Sequence, residues 1–122
     1  MTAIYHNPYG ESSKTAVAVA TEMGVEFEEI RYTKNPPDEA ALRDLIAKLE
    51  DPVENLVRKD AQFKKLELVE DDYIGNANKV VEVLLAYPKL LQRPVIVTAD
   101  KAIIGRPLGD QKAKERLNDL FS

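Results

Sequence analysis

Apolar and polar positions along this chain change period in an order that predicts a βαβ unit at its start. Residues 2–6, TAIYH, are short and β-favouring, and Asn7-Pro8 follows them as a turn. Ser12 or Ser13 can then cap a helix with Ala16, Val17, Ala20 and Met23 on one face, stopped by Gly24. In VEFEEIRY, 25–32, Val25 and Phe27 alternate with glutamates before the phase shifts to Ile30 and Tyr32. That pattern predicts a second strand, bulged or at a sheet edge, and parallel to the first.

The middle of the chain is helical in period. Asn35-Pro36-Pro37-Asp38 breaks the strand and starts a helix carrying Leu42, Leu45, Ile46 and Leu49. Residues 51–60 predict a further short helix, with Asp51 as cap and Pro52 at its first position. Residues 61–72 are polar and ambiguous. A stronger helix is predicted over about 76–87, with Val80, Val83, Leu84 and Tyr87 on one face, ending before Pro88. RPVIVTADKAIIGRP, 93–107, is the clearest hairpin: VIV and AII are joined by Thr98-Ala99-Asp100-Lys101, and Gly105 ends the second strand. A last helix carries Ala113, Leu117 and Leu120.

A βαβ unit followed by a ββα unit is the thioredoxin or glutaredoxin order. The fold expected is therefore α/β with a mixed four-stranded sheet. The chain reads as one domain, 1–122, with a helical insertion over about 38–90. Such an arrangement puts the functional surface at the start of the first helix, beside the loop before the third strand. It also implies a cis proline there, where Pro94 stands; a trans proline opening an edge strand is the alternative.

Composition narrows the chemistry. The chain has 122 residues, 44% apolar and 31% charged, as in ordinary globular domains. A net charge of −4 argues against direct nucleic-acid or anionic-membrane binding. No apolar run approaches the roughly 20 residues that span a bilayer, and MTAIYHNP lacks the features of a secretory signal. A cytoplasmic location is expected. There is no cysteine and one histidine, which excludes thiol chemistry by this chain alone, disulfides, and thiolate or His-rich metal sites.

Four groups of residues remain as candidates. The turn from Asn7 to Ser13 offers backbone N–H groups and a helix N-terminus to an anion, with Gly10 permitting close approach. Glu11 argues the other way, since a carboxylate in the first turn already serves the helix dipole. Arg58, Arg93 and Arg106 suit an oxyanion because each fork offers paired donors; the alternative is that each is a surface charge bridging an acid. The hairpin pairing puts Arg93 and Arg106 at one end of its two strands. His6 can titrate near neutral pH or simply pack, and Tyr9 can cover a ligand or lie half buried.

IYHNP, RYTKNPP, NLVRKD, YPKLLQRPVIV and IIGRP, in that order, resemble the ArsC family, over about residues 3–120. That family comprises glutaredoxin-coupled arsenate reductases and Spx-type regulators, with a thioredoxin-type fold and a helical insertion. The resemblance implies that Arg58, Arg93 and Arg106 hold an oxyanion at the first-helix turn. It implies that Gly10, Ser12 and Ser13 line that turn, supported by His6, Asn7 and Pro94. In the reductases, a cysteine after HNP attacks arsenate and glutathione completes the reduction. Here Gly10 stands at the cysteine position, so no catalytic residue is expected and thiol redox activity is not carried over. The Cys-x-x-Cys switch of the Spx branch is equally absent.

Three functions follow as expectations. The first is an oxyanion-binding protein for phosphate, sulfate or arsenate, without a resident cofactor. The second is an Spx-like module that engages a protein partner. The third is an oxidoreductase that borrows an external thiol, with glutathione the candidate co-substrate.

Overall fold

The structure, a computed structural model, describes residues 2–7, 11–105 and 110–121, with side chains for all of these but 11, 12 and 110–114. The opening alternation forms β1 (Thr2–His6), α1 (Glu11–Glu22) and β2 (Phe27–Arg31). β1 and β2 pair in parallel from Thr2↔Phe27 to His6↔Arg31. The hairpin forms β3 (Val95–Val97) and β4 (Ala102–Ile104), and β3 pairs antiparallel with both β4 and β1. The four-stranded sheet has the order β2-β1-β3-β4. This is the mixed sheet of a thioredoxin-like fold. Between β2 and β3 lie α2 (Glu39–Lys48), α3 (Ala61–Lys65) and α4 (Ala77–Ala86), with three short 3₁₀ turns, and α5 (Asp110–Phe121) follows β4.

Strand alternation divides the core into two clusters, one on each face of the sheet. Ile4, Ile96 and Ile103 point to α1 and α5 and pack with Ala16, Val19, Ala20 and Leu117. Tyr5, Val95 and Ile104 point the other way, into Leu42, Leu45, Leu56, Phe63, Leu84 and Leu90 of the helical segment. Each fully buried leucine or isoleucine removes apolar area worth about 1.5–3 kcal/mol.

The phase shift in 25–32 has a simple cause. Phe27 packs on the α1 side and Ile30 on the α2 side, so β2 serves both clusters with no bulge in its register. It is an edge strand.

Several local expectations change. α1 ends one residue before Met23. Gly24, at φ +68°, donates to the Thr21 carbonyl and Val25 to that of Ala20, a Schellman closure. The buried stripe is therefore Ala16, Val19 and Ala20, and Met23 stands 40% exposed. Ser12 and Ser13 fall inside α1 and are not its N-cap.

Asp51 does not cap a helix. Pro52 is extended (ψ 137°) and only a 3₁₀ turn, Val53–Leu56, follows. The Asp51 carboxylate instead accepts the Ile104 N–H at 2.9 Å and both Nη atoms of Arg116, at 3.1 and 3.2 Å. It ties the start of the insertion to β4 and α5.

The ambiguous stretch 61–72 contains α3, capped by Asp60, and a 3₁₀ turn, Glu70–Tyr73. Phe63 and Tyr73 meet edge to face at 5.9 Å within the core. α4 buries Val81 as well as Val80, Val83 and Leu84, because it packs against α2 and three 3₁₀ turns. Tyr87 is the C-cap before Pro88 and is exposed.

Candidate functional site

The C-terminal end of β1 delivers His6 and Asn7 to the start of α1. Ser13, the third residue of α1, is fully buried, and its Oγ accepts the Asn7 N–H at 3.2 Å. A side chain in the first helical turn that reaches back to a preceding N–H fixes the angle at which the chain enters the helix. His6 is 7% exposed, and its Nε2 lies 4.0 Å from Glu29 Oε1. Burial pushes its imidazole below the ordinary value; Glu29 opposes that shift and Arg31 adds to it.

Arg58 and Arg93 sit on two segments that are paired to each other. Val57 and Leu91 form an antiparallel bridge, flanked by Arg58 N–H to the Leu90 carbonyl and Gln92 N–H to the Leu56 carbonyl, both at 2.7 Å. This bridge explains how NLVRKD and LLQRP, far apart in sequence, come together. Arg58 Nη1 lies 3.3 Å from Asp60 Oδ2, while Oδ1 of the same carboxylate caps α3 by accepting from Gln62 and Phe63. Arg93 Nη1 donates to the Tyr32 hydroxyl at 3.3 Å. Its Nε is buried and has no hydrogen-bond partner among the described residues. An orphaned guanidinium N–H is uncommon and calls for an acceptor.

The Arg93–Pro94 peptide bond is cis, as the fold implies. Pro94 precedes β3, and its carbonyl accepts the Gly105 N–H at 2.9 Å at the end of β4. A Cβ on Gly105 would lie 2.7 Å from Pro94 Cγ, so only glycine lets the two strand ends approach this closely. Arg93 precedes one member of this contact and Arg106 follows the other in sequence.

Gly10, Tyr9 and Arg106 lie outside the described residues, as does the side chain of Ser12. Of the remaining candidates, His6, Asn7 and Ser13 gather at the β1–α1 turn, and Arg58, Arg93 and Pro94 at the bridge and the start of β3. Sequence reasoning missed Tyr32 and Asp60. Tyr32 lies 61 residues from Arg93, and nothing in its local pattern marks it as a partner. Asp60 was detectable, as an aspartate directly before a helical turn.

These features define a thioredoxin-like α/β protein with a helical insertion. Residues 5–113 match the ArsC family, and the chain belongs to it. It is 36% identical over 106 residues to the uncharacterized protein YfgD of Escherichia coli strain K12, covering 85% of this chain and 87% of that one. It is 32% identical over 112 residues to an arsenate reductase of Neisseria meningitidis serogroup A, covering 90% and 94%. Among solved structures it superposes on a putative arsenate reductase from Yersinia pestis with a TM-score of 0.75, at 29% identity, covering 94% and 99%. An arsenate reductase from Vibrio cholerae gives a TM-score of 0.73 at 27% identity, covering 93% and 95%. This chain is arsenate-reductase-like throughout, but its 122 residues contain no cysteine.

Proposed function

We propose that this protein binds a small tetrahedral oxyanion, of the phosphate, sulfate or arsenate class, without performing thiol redox chemistry on it. Arg58, Arg93 and Arg106 supply the forked donors, and the turn through Gly10, Ser12 and Ser13 supplies backbone N–H groups. His6, Asn7 and Pro94 shape the surround. The observation that carries this reading is the buried Arg93 Nε, a charged donor with no hydrogen-bond partner among the described residues. A guanidinium that already spends one Nη on the Tyr32 hydroxyl keeps Nε and the other Nη as a pair for a planar or tetrahedral oxyanion.

The redox half of the reading follows from composition. Reducing arsenate to arsenite takes two electrons, which thiolates supply by forming arsenic–sulfur and then sulfur–sulfur bonds. Glycine at position 10 has no side chain, and a serine hydroxyl can attack but cannot carry the electrons. A site without the thiolate also lacks its negative charge, so an anionic ligand meets a more positive potential there, even with Arg58 already facing Asp60.

The Arg93 Nε–H proton resonance tests the binding directly. Phosphate added at low ionic strength is expected to shift it saturably at millimolar concentration or below. A resonance unmoved by phosphate, sulfate and arsenate alike would overturn the assignment. In a glutathione–glutaredoxin-coupled arsenate assay, the expected turnover is that of the no-protein control.

A further inference from the structure

The two edges of the sheet are treated differently. The outer edge of β4 is covered by the insertion: Leu49 bridges Ala102, Glu50 N–H donates to the Ala102 carbonyl at 3.0 Å, and Asp51 takes the Ile104 N–H. The outer edge of β2 has no such cover. Apart from the Arg31 carbonyl, which accepts from Lys34 and Asn35, no hydrogen bond from a described residue reaches its backbone outside the pairing with β1.

A cavity opens beside this free edge on each face of the sheet. On the α2 face a cleft of about 410 Å³ is lined by Tyr5, Glu28, Ile30, Pro36, Pro37 and Asp38. On the α1 face a second, of about 270 Å³, is lined by His6, Lys14, Val17, Ala18 and Glu29. Glu29 borders both. The alternation along β2 explains the pair, since Glu28 and Ile30 face one side and Glu29 the other. A strand added to this edge would send successive side chains alternately into the two cavities.

We propose that the β2 edge is a docking site for an extended peptide segment of a protein partner, with basic and apolar residues in alternation. The basic side chains enter the α2-face cleft, toward Glu28 and Asp38. The apolar ones enter the α1-face cavity, against Val17 and Ala18. Charge selects this occupant over a second copy of the chain. Two β2 edges paired antiparallel about Glu28 or about Glu29 would oppose that carboxylate with its own counterpart, and like charges directly across a strand pair are destabilising. An acidic edge therefore resists self-association and accepts a basic strand. The proposal does not rest on the arginines, although His6 borders the α1-face cavity and also belongs to the surround of the proposed anion site.

The test uses the full chain and the capped pentapeptide acetyl-Lys-Val-Lys-Val-Lys-amide, followed by amide chemical shifts and hydrogen exchange. Saturable shifts and slowed exchange are expected at Phe27–Arg31. A peptide N-methylated along one edge should fail to bind, because strand addition needs its N–H groups. Glu28→Lys should weaken the basic peptide about tenfold and favour a Glu-Val-Glu-Val-Glu counterpart. Glu28→Gln carries the same test with a smaller effect should the lysine variant unfold. Any of four results would overturn the proposal: no saturation at millimolar peptide, shifts centred away from β2, equal binding of the N-methylated peptide, or β2-mediated dimerisation of the protein alone.

Discussion

The Gly105 N–H donates to the Pro94 carbonyl at 2.9 Å, and the Gly105 Cα lies so close to the proline ring that a Cβ would stand 2.7 Å from Cγ. The contact joins the residue before β3 to the residue after β4, with Arg93 preceding the one and Arg106 following the other in sequence. Gly105→Ala must displace the buried Pro94 ring. It is expected to cost about 1–3 kcal/mol by overpacking, read as a lower urea midpoint with an unchanged slope. Oxyanion binding should weaken in parallel. An alanine variant as stable as the parent would mean that the strand ends yield freely.

Asp51 and Arg116 make the second structural tie. Removing either partner leaves the other half buried and under-satisfied, at side-chain exposures of 18% and 30%. Asp51→Ala also orphans the Ile104 N–H, and is expected to destabilise by about 2–4 kcal/mol. A double-mutant cycle with Arg116→Ala should return a coupling energy of about 1–3 kcal/mol. Additive effects would show that the pair acts as two separate surface charges.

His6 is the one histidine, so a single pair of imidazole resonances reports its titration. Its folded-state value lies below the ordinary 6.5, chiefly through burial. The unfolded chain then binds the proton more readily. The neutral imidazole therefore contributes stability that is present above about pH 6.5 and is lost as pH falls through the lower folded-state value. Replacing Glu29 by Gln removes the opposing charge and should lower the midpoint further. His6→Gln should flatten the stability profile in that window. A titration midpoint at or above 6.5 in the folded protein would contradict the burial.

Asp60 couples stability to the proposed anion site. Its one carboxylate caps α3 and sits 3.3 Å from Arg58 Nη1. Asp60→Ser keeps a capping oxygen and removes the charge, so affinity for phosphate should rise a few-fold, worth about 0.2–1 kcal/mol, with little change in stability. Asp60→Ala should show the same gain and lose about 1 kcal/mol of stability with the cap. Unchanged affinity in both variants would separate Arg58 from the anion site.

Where one local signal set the structure, the sequence carried it: Gly24 closed α1, Asn35-Pro36-Pro37 broke β2 from α2, and the 93–107 pattern gave β3 and β4. Misreadings arose where a distant partner prevailed or where a helix end redirected its last residue. Asp51 looked like a cap because it precedes Pro52, but Ile104 and Arg116 claim its carboxylate. Tyr87 continued the helical stripe of α4 by spacing, yet Pro88 ends the helix and turns the ring outward. The arginines were legible as residue types with suitable chemistry. That Arg58 and Arg93 flank one bridge depends on Val57 meeting Leu91, which no local pattern encodes. Nor could the sequence reveal the Tyr32 hydroxyl on Arg93 or its unpartnered Nε.

Position 10 offers a probe of the arginine field. A thiol introduced by Gly10→Cys is expected to titrate well below the unperturbed value of about 8.5, because three guanidinium groups favour the thiolate. Its midpoint, followed by thiolate absorbance, should rise again when Arg93→Ala is added. A thiol at its ordinary value would mean that the arginines do not converge on this turn.

The central claim is that the arginines bind an oxyanion where the thiol is missing. Calorimetric titration of phosphate and of arsenate into the purified chain at low salt tests it most directly. The account predicts saturable binding of both anions and about a tenfold loss of affinity in Arg93→Ala. Absence of heat at millimolar anion, or an Arg93→Ala variant that binds like the parent, would contradict it.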